Sequence, residues 1–256
     1  MGTWVTQWGE RGTYCDGPEP LWNAMQPIER INADLRAIWD QYPADRGRYS
    51  PMQYRKPKKG CLMFVGMNPS FSSKGWKGLL KHAKRPTLNP HHFFRWPSPR
   101  NFDDELADEL EVIAREHYQF FDPHRKLSNQ LRRHWDHIDL FAYRETSQKK
   151  VQSRLLTSAN NKDVTLSEFG LAQFNVFLRL LKLAKPSAVV VVNALAARIY
   201  VNQRSLEFNH EHGYYSDTVG DHSFPVFLSG MLTGGRALDR FSKERLFWQI
   251  GKALET

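Results

Sequence analysis

Residues 187–192, read SAVVVV, constrain the fold more than any other stretch of this chain. Six residues are too few for a buried helix, and an unbroken β-branched run has no polar face to turn to water. Such a strand must be covered on both sides, as the inner strands of parallel sheets are. Helical patterns flank it. Upstream, residues 164–183 place Phe169, Ala172, Val176, Leu180 and Leu183 on one face until Pro186 stops the helix. Downstream, Asn193-Ala194-Leu195-Ala196-Ala197 reads as strand turning into helix, with Asn193 placed to cap its first turn.

A second apolar run, residues 61–65, stops at Gly66 and gives way to Asn68, Pro69 and three serines in CLMFVGMNPSFSSKG. The loop opens at the carboxyl end of a strand, where open α/β sheets place their ligands. Gly66 lets backbone approach a ligand closely. Pro69 fixes its own φ and holds Asn68 extended, so Asn68 is expected to be presented rather than buried. Residues 138–142 and 224–228 read as two more strands, and residues 27–42, 103–113, 123–135 and 239–254 as helices. The pattern predicts an α/β fold, a three-layer α/β/α sandwich around a central four-stranded parallel sheet. Residues 1–54 would form an arm and a helix packed on the core, and residues 55–256 the α/β domain.

The 256 residues carry a net charge of +9, a field that attracts polyanions. Arg55, Lys56, Lys58 and Lys59 precede the Gly66 loop, and Lys74, Lys77, Lys81, Lys84 and Arg85 follow it. With only Cys15 and Cys61 there is no disulfide framework to infer. MGTWVTQWGERGTY lacks the basic and apolar regions of a secretory signal, and no apolar run is long enough to span a membrane. A cytoplasmic protein is expected. His91 and His92 are adjacent and would need further ligands to hold a metal, so no metal or cofactor is expected.

Other segments admit two readings. Residues 76–101 are expected to form a long insert without its own pattern, dense in Trp76, Phe93, Phe94 and Trp96 among cations. These rings would either stack on exposed bases or pack as a small satellite core. DDELADELE, at 103–111, is expected to form a solvated helix face. In DLFAYRET, Arg144 would reach a phosphate or base edge and Tyr143 would stack, unless Arg144 pairs with Glu145 at the surface and Tyr143 is core. Residues 147–163 are expected to be a polar loop, and residues 203–222 a loop or weak hairpin. The glycines of Ser229-Gly230-Met231-Leu232-Thr233-Gly234-Gly235-Arg236 would allow a phosphate near the following helix start.

Gly66-Met67-Asn68-Pro69-Ser70-Phe71-Ser72-Ser73 resembles the first active-site motif of the uracil-DNA glycosylase superfamily, most closely its mismatch-specific uracil/thymine branch. The resemblance implies a fold of that family and a monomeric DNA glycosylase that flips a base out of the duplex and leaves an abasic site, for repair or for defence against modified foreign DNA. Asn68 would position the water. Met67, Ser70, Phe71, Tyr143 and Asn193 would bind the base, with capping preferred for Asn193. Lys74, Lys77, Arg144, Ser229, Thr233, Gly234 and Arg236 would contact DNA. An iron–sulfur cluster, present in some branches, is beyond two cysteines. The family's second motif, His-Pro-Ser or Asn-Pro-Ser, is absent at 229–236, which leaves the stabiliser of the departing base to another residue, with Ser229, Thr233 and Arg236 as local candidates. That departure motivates one rival, a DNA-binding module without chemistry; a further reading is a hydrolase using the same pocket on a small nucleotide or sugar.

Overall fold

The computed structural model describes residues 26–70, 73–84, 87–97, 104–160 and 163–255. In chain order the elements are α1 (Pro27–Gln41), β1 (Leu62–Gly66), α2 (Ser73–His82), α3 (Pro90–Phe93), α4 (Asp104–His117), α5 (Asp122–Leu131), β2 (Trp135–Asp139), α6 (Gln148–Leu155) and β3 (Leu156–Ala159). They continue with β4 (Val164–Leu166), α7 (Glu168–Ala184), β5 (Ala188–Val191), α8 (Ala194–Arg204), β6 (Phe208–Asn209), β7 (Tyr214–Val219), β8 (His222–Leu228) and α9 (Arg240–Glu255). The expected arm at residues 1–20 lies outside the described residues.

The main sheet has six strands in the order β2-β1-β5-β8-β7-β6. β2, β1, β5 and β8 run parallel, and β7 and β6 add an antiparallel edge. The sheet is therefore mostly parallel but wider than the expected four strands, because within 203–222 the hairpin alternative holds and β6 and β7 pair onto the edge beside β8. Alternation along β1 assigns its side chains to two cores. Met63 and Val65 join Val189, Val191 and Val226 against Ile31, Leu35, Trp39, Phe177 and Ile199 of α1, α7 and α8. Leu62 and Phe64 join Val190, Val192 and Phe227 against Leu127 of α5 and Leu246, Phe247 and Ile250 of α9. With helices on both faces, the architecture is compatible with an α/β/α layering. No helix among the described residues is long and apolar enough to cross a membrane.

Local chemistry explains the boundaries. In α1, Pro27 stands in the first turn and the Glu29 carboxylate accepts the Gln26 N–H (2.9 Å), while Ile31, Leu35 and Trp39 recur at helical spacing. α7 begins at Glu168, later than the periodicity predicts, because Ser167 caps it by accepting from the Gly170 N–H (3.1 Å) and residues 164–166 pair with β3. The second strand lies at Trp135–Asp139, three residues before the expected position. Its sequence WDHID hides it: Asp136, His137 and Asp139 are all buried, and buried polar residues defeat a hydrophobicity pattern.

Two expected loops contain structure. Residues 147–163 hold α6 and β3, which pairs with β4 just beyond. The insert at 76–101 holds α3 and much of α2, and there Trp76, Phe93 and Phe94 pack with Leu80, Leu106 and Leu110 as a third cluster. The satellite-core alternative thus holds for those three rings, and Trp96 packs against the main core with Arg46 over its face.

Beneath β1, His124 is 1% exposed, its ring 4.1 Å from that of Phe64, and neither nitrogen meets a partner at full hydrogen-bond geometry. Burial first, then the nearby His137, Arg115 and Arg125, hold its pKa well below 6.5. The folded chain refuses a proton that the unfolded chain accepts, so stability falls as pH drops below about 6.5 and rises again toward neutrality. Replacing His124 with Phe should flatten the dependence of the thermal midpoint on pH between about 6.5 and 5. An unchanged slope would show that His124 is not the group responsible.

Candidate active site at the carboxyl end of the sheet

β1, β2 and β5 end side by side, and a cleft of about 630 Å³ opens over their carboxyl ends. That volume lies within the range of sites that enclose whole small-molecule ligands. Its floor is Gly66, Met67, Asn68, Asp139, Val192 and Asn193. α4 supplies one wall through Asp108, Glu111 and Arg115, and Gly230, Met231 and Arg236 stand on another side.

Asn68 is half-buried at this floor. Its Nδ2 donates to the carbonyl oxygens of Tyr143 (3.0 Å) and Glu145 (2.7 Å), in the loop that follows β2. Reversing the amide would set its oxygen against two carbonyl oxygens, so the network dictates the orientation. Among the described residues Oδ1 has no partner. A side chain expected to be presented is presented, held by its own donor end.

Gly66 and Asp139 face each other across the β1–β2 register. A Cβ at Gly66 would overlap Asp139 Oδ1 and come within 3.2 Å of His137 Nε2. The glycine is therefore needed for close approach, and what approaches is a carboxylate from the neighbouring strand. His137 Nε2 lies 3.5 Å from Asp139 Oδ1, an ion pair when the imidazole is protonated. The Asp139 main-chain oxygen accepts from the Tyr54 hydroxyl (3.1 Å), which fixes the end of β2.

Arg144 enters from the same loop. Its guanidinium lies 4.1 Å from the centre of the Phe94 ring, its Nε is buried without a hydrogen-bond partner, and among the described residues no carboxylate reaches ion-pair distance. Burial draws its pKa down to about 10, against the opposing fields of Glu111, Asp139 and Tyr54. It remains a cation at neutral pH. An unpaired cation in a water-poor wall is costly unless a ligand completes it. Arg115 is in the opposite condition: burial lowers its pKa, but Glu111 (2.5 Å) and Asp136, which it grips directly, outweigh that and raise it.

The other expected site residues divide. Met67, Ser70, Asn193 and Arg236 line the cleft. Asn193 Oδ1 caps α8 by accepting from the N–H groups of Leu195 (3.0 Å) and Ala196 (3.1 Å), the preferred alternative. Tyr143 does not face the cleft: it is buried, its ring edge-on to Phe169 at 6.0 Å, and it serves the site through its carbonyl. Arg144 makes no surface pair with Glu145, whose carboxylate accepts from the N–H groups of Thr146 and Ser147. The Ser229 hydroxyl is spent on the Gly230 carbonyl (2.9 Å), and Thr233 and Gly234 lie outside the lining. At the opening of α9 the Asp239 carboxylate accepts from the Ser242 N–H and hydroxyl, which sets an acid where a phosphate was expected. Lys77 is exposed on α2 and outside the lining. Phe71 and the Lys74 side chain fall outside the described residues.

Sequence reasoning missed Asp139, His137 and Glu111. Two signals pointed to them: the WDHID run is too polar for a surface-independent strand, and DDELADELE turns Asp108 and Glu111 toward the cleft rather than solvent alone. Among the described residues no cluster of three His, Cys, Asp or Glu side chains could hold a metal.

Gly66→Ala should destabilise the fold by about 1–3 kcal/mol, the usual cost of overpacking. Combining it with Asp139→Ala should recover part of that loss in a denaturant double-mutant cycle. Simple addition of the two single losses would mean that the strands do not meet as described.

Protein-family models and curated proteins were both searched, and neither gives a match to this chain.

Proposed function

We propose that this chain is a DNA glycosylase that hydrolyses the N-glycosidic bond of a flipped-out pyrimidine and leaves an abasic site, on a fold of the uracil-DNA glycosylase kind. The observation that carries the reading is the Asn68 amide, tied by its nitrogen to two main-chain carbonyls, with its oxygen unpartnered among the described residues beside the cleft. The motif around it, Gly66-Met67-Asn68-Pro69-Ser70, is the one that resembles the family.

In this reading Asn68 Oδ1 accepts a hydrogen bond from a water and aims the water oxygen at C1′ of the sugar. An amide is too weak a base to remove the proton fully, so bond breaking runs ahead of attack. The C1′–N bond breaks with its electron pair going to the base, and the sugar becomes oxocarbenium-like. Water oxygen then bonds to C1′ and gives up one proton to solvent, while the departing base takes up one. Products are the free base and a hydroxyl on C1′.

The charge that gathers on the leaving base needs a donor fixed in advance. Arg144 suits that role better than Ser229 or Thr233, since it lines the cleft as a cation that meets no carboxylate among the described residues. This supplies what the absent second motif would otherwise supply. Met67 and Ser70 would flank the base. Arg236 at the cleft and the exposed Lys77 would meet phosphates. The cleft volume exceeds the needs of a bare pyrimidine ring, which leaves space for a modified one.

Asn68→Ala should lower base release at least about 100-fold while leaving DNA affinity nearly unchanged. It should also cost about 1–3 kcal/mol of stability, because two carbonyls lose their donor. Release of free base can be read by mass spectrometry and stability by thermal melting. Base release at the parental rate would refute the assignment. Arg144→Gln should reduce turnover about 10²–10³-fold, the effect of losing one preorganised donor, and a parental rate would remove Arg144 from the chemistry. A binding module without chemistry would yield no abasic site from any DNA, and its affinity would fall steeply with salt.

A further inference from the structure

The floor of the cleft ends in a carboxylate. Asp139 stands at the carboxyl end of β2, its side chain about 10% exposed, and it lines the cleft beside Gly66 and Asn68. Among the described residues no hydrogen-bond donor is seated on either of its carboxylate oxygens, and His137 Nε2 stands off at 3.5 Å. The carboxylate is thus a buried acceptor with open lone pairs, in a position that the water-aiming role of Asn68 does not use. A carboxylate accepts and cannot donate.

We propose that the base taken up here is an amino-pyrimidine of the cytosine class, its exocyclic amine donating to Asp139, and not uracil or thymine. The inference rests on the glycosylase reading above and specifies its substrate. Cytosine presents an N4 amine, two donors, where uracil and thymine present an O4 acceptor. Opposite Asp139 the amine makes a charge-assisted hydrogen bond, whereas O4 would set oxygen against oxygen in a site short of water. Arg144 complements this on the same ring: it is a donor, near enough to Asp139 for the two charges to interact yet outside ion-pair distance, and suited to the ring's O2. For these two groups cytosine offers a donor at N4 and an acceptor at O2, where uracil and thymine offer acceptors at both ends of the edge and their one donor, N3–H, between them. Gly66 keeps the arrangement open, since any side chain there would displace the carboxylate.

The test uses oligonucleotides holding a single cytosine, 5-hydroxymethylcytosine, a glycosylated 5-hydroxymethylcytosine, uracil, or thymine opposite guanine. Freed base is measured by mass spectrometry and abasic sites by alkaline cleavage. The parent chain should release one or more of the amine-bearing bases and discriminate against uracil and thymine by on the order of 10⁴, the selectivity of a site whose buried polar group would be left unpaired. Asp139→Asn, which can both donate and accept, should erase or reverse that preference. Should the variant fail to fold, product inhibition of the parent decides: free cytosine should inhibit and free uracil should not. Release of uracil or thymine with no release of any amine-bearing base, or an unchanged preference in a folded Asp139→Asn, would overturn the substrate class and leave the glycosylase reading standing. No base released from any of these DNAs would overturn both.

Discussion

The bond on which the site depends is the pair of hydrogen bonds from the Asn68 amide nitrogen to the carbonyls of Tyr143 and Glu145. It joins the loop leaving β1 to the loop leaving β2, two segments more than seventy residues apart in the chain. Further main-chain bonds reinforce the junction, from Leu140 N–H to the Gly66 carbonyl and from Phe141 N–H to the Met67 carbonyl, both 3.1 Å. Loops normally keep their freedom at the surface. Here the backbone bonds extend the sheet's ladder past its last paired residues, so the floor of the cleft is nearly as fixed as the strands beneath it. A side chain that spends both donor hydrogens on main chain has one direction left for its oxygen.

Charge is distributed around that floor in two states. Arg115 is enclosed by Glu111, Asp136 and the His137 carbonyl, and its role is structural: it ties α4 to β2. Arg144 has an aromatic face from Phe94 and, among the described residues, no carboxylate at ion-pair distance. Similar enclosure of two guanidiniums has opposite results, because neutralisation decides whether a buried cation is inert or available. The same distinction applies to carboxylates. Asp136 is occupied by Arg115 and by the Lys58 N–H (2.8 Å), whereas Asp139 at the cleft accepts from no donor among the described residues.

Much of the frame was legible in the residues. The β-branched run before Asn193 and the apolar run before Gly66 announced inner strands, and periodicity gave α1 nearly to its limits and the end of α7, though not its start. Asn193 was legible as a cap because Asn before a small-residue helix start has few better uses. The WDHID strand was not, since its polarity is satisfied by partners, Arg115 above all, that arrive from elsewhere in the chain. Tyr143 was misplaced for a related reason: in a stretch with no clear period, nothing in the sequence tells which of two adjacent residues points inward, and the cleft received Arg144.

By itself the sequence determined the class of fold, the position of the loop at the end of β1 and the presentation of Asn68 at the cleft. Those follow from local rules: burial of apolar runs, the fixed φ of proline, and the missing Cβ of glycine. Only the tertiary structure decided which groups Asn68 meets, since the parallel register of β1 with β2 brings Asp139 over Gly66 and the Tyr143 carbonyl under the amide. Strand register is set by pairings remote in sequence, and a period of two residues makes a shift of one reverse every side chain. The side chains that give the cleft its chemistry are placed by that pairing, which no local stretch of the chain encodes.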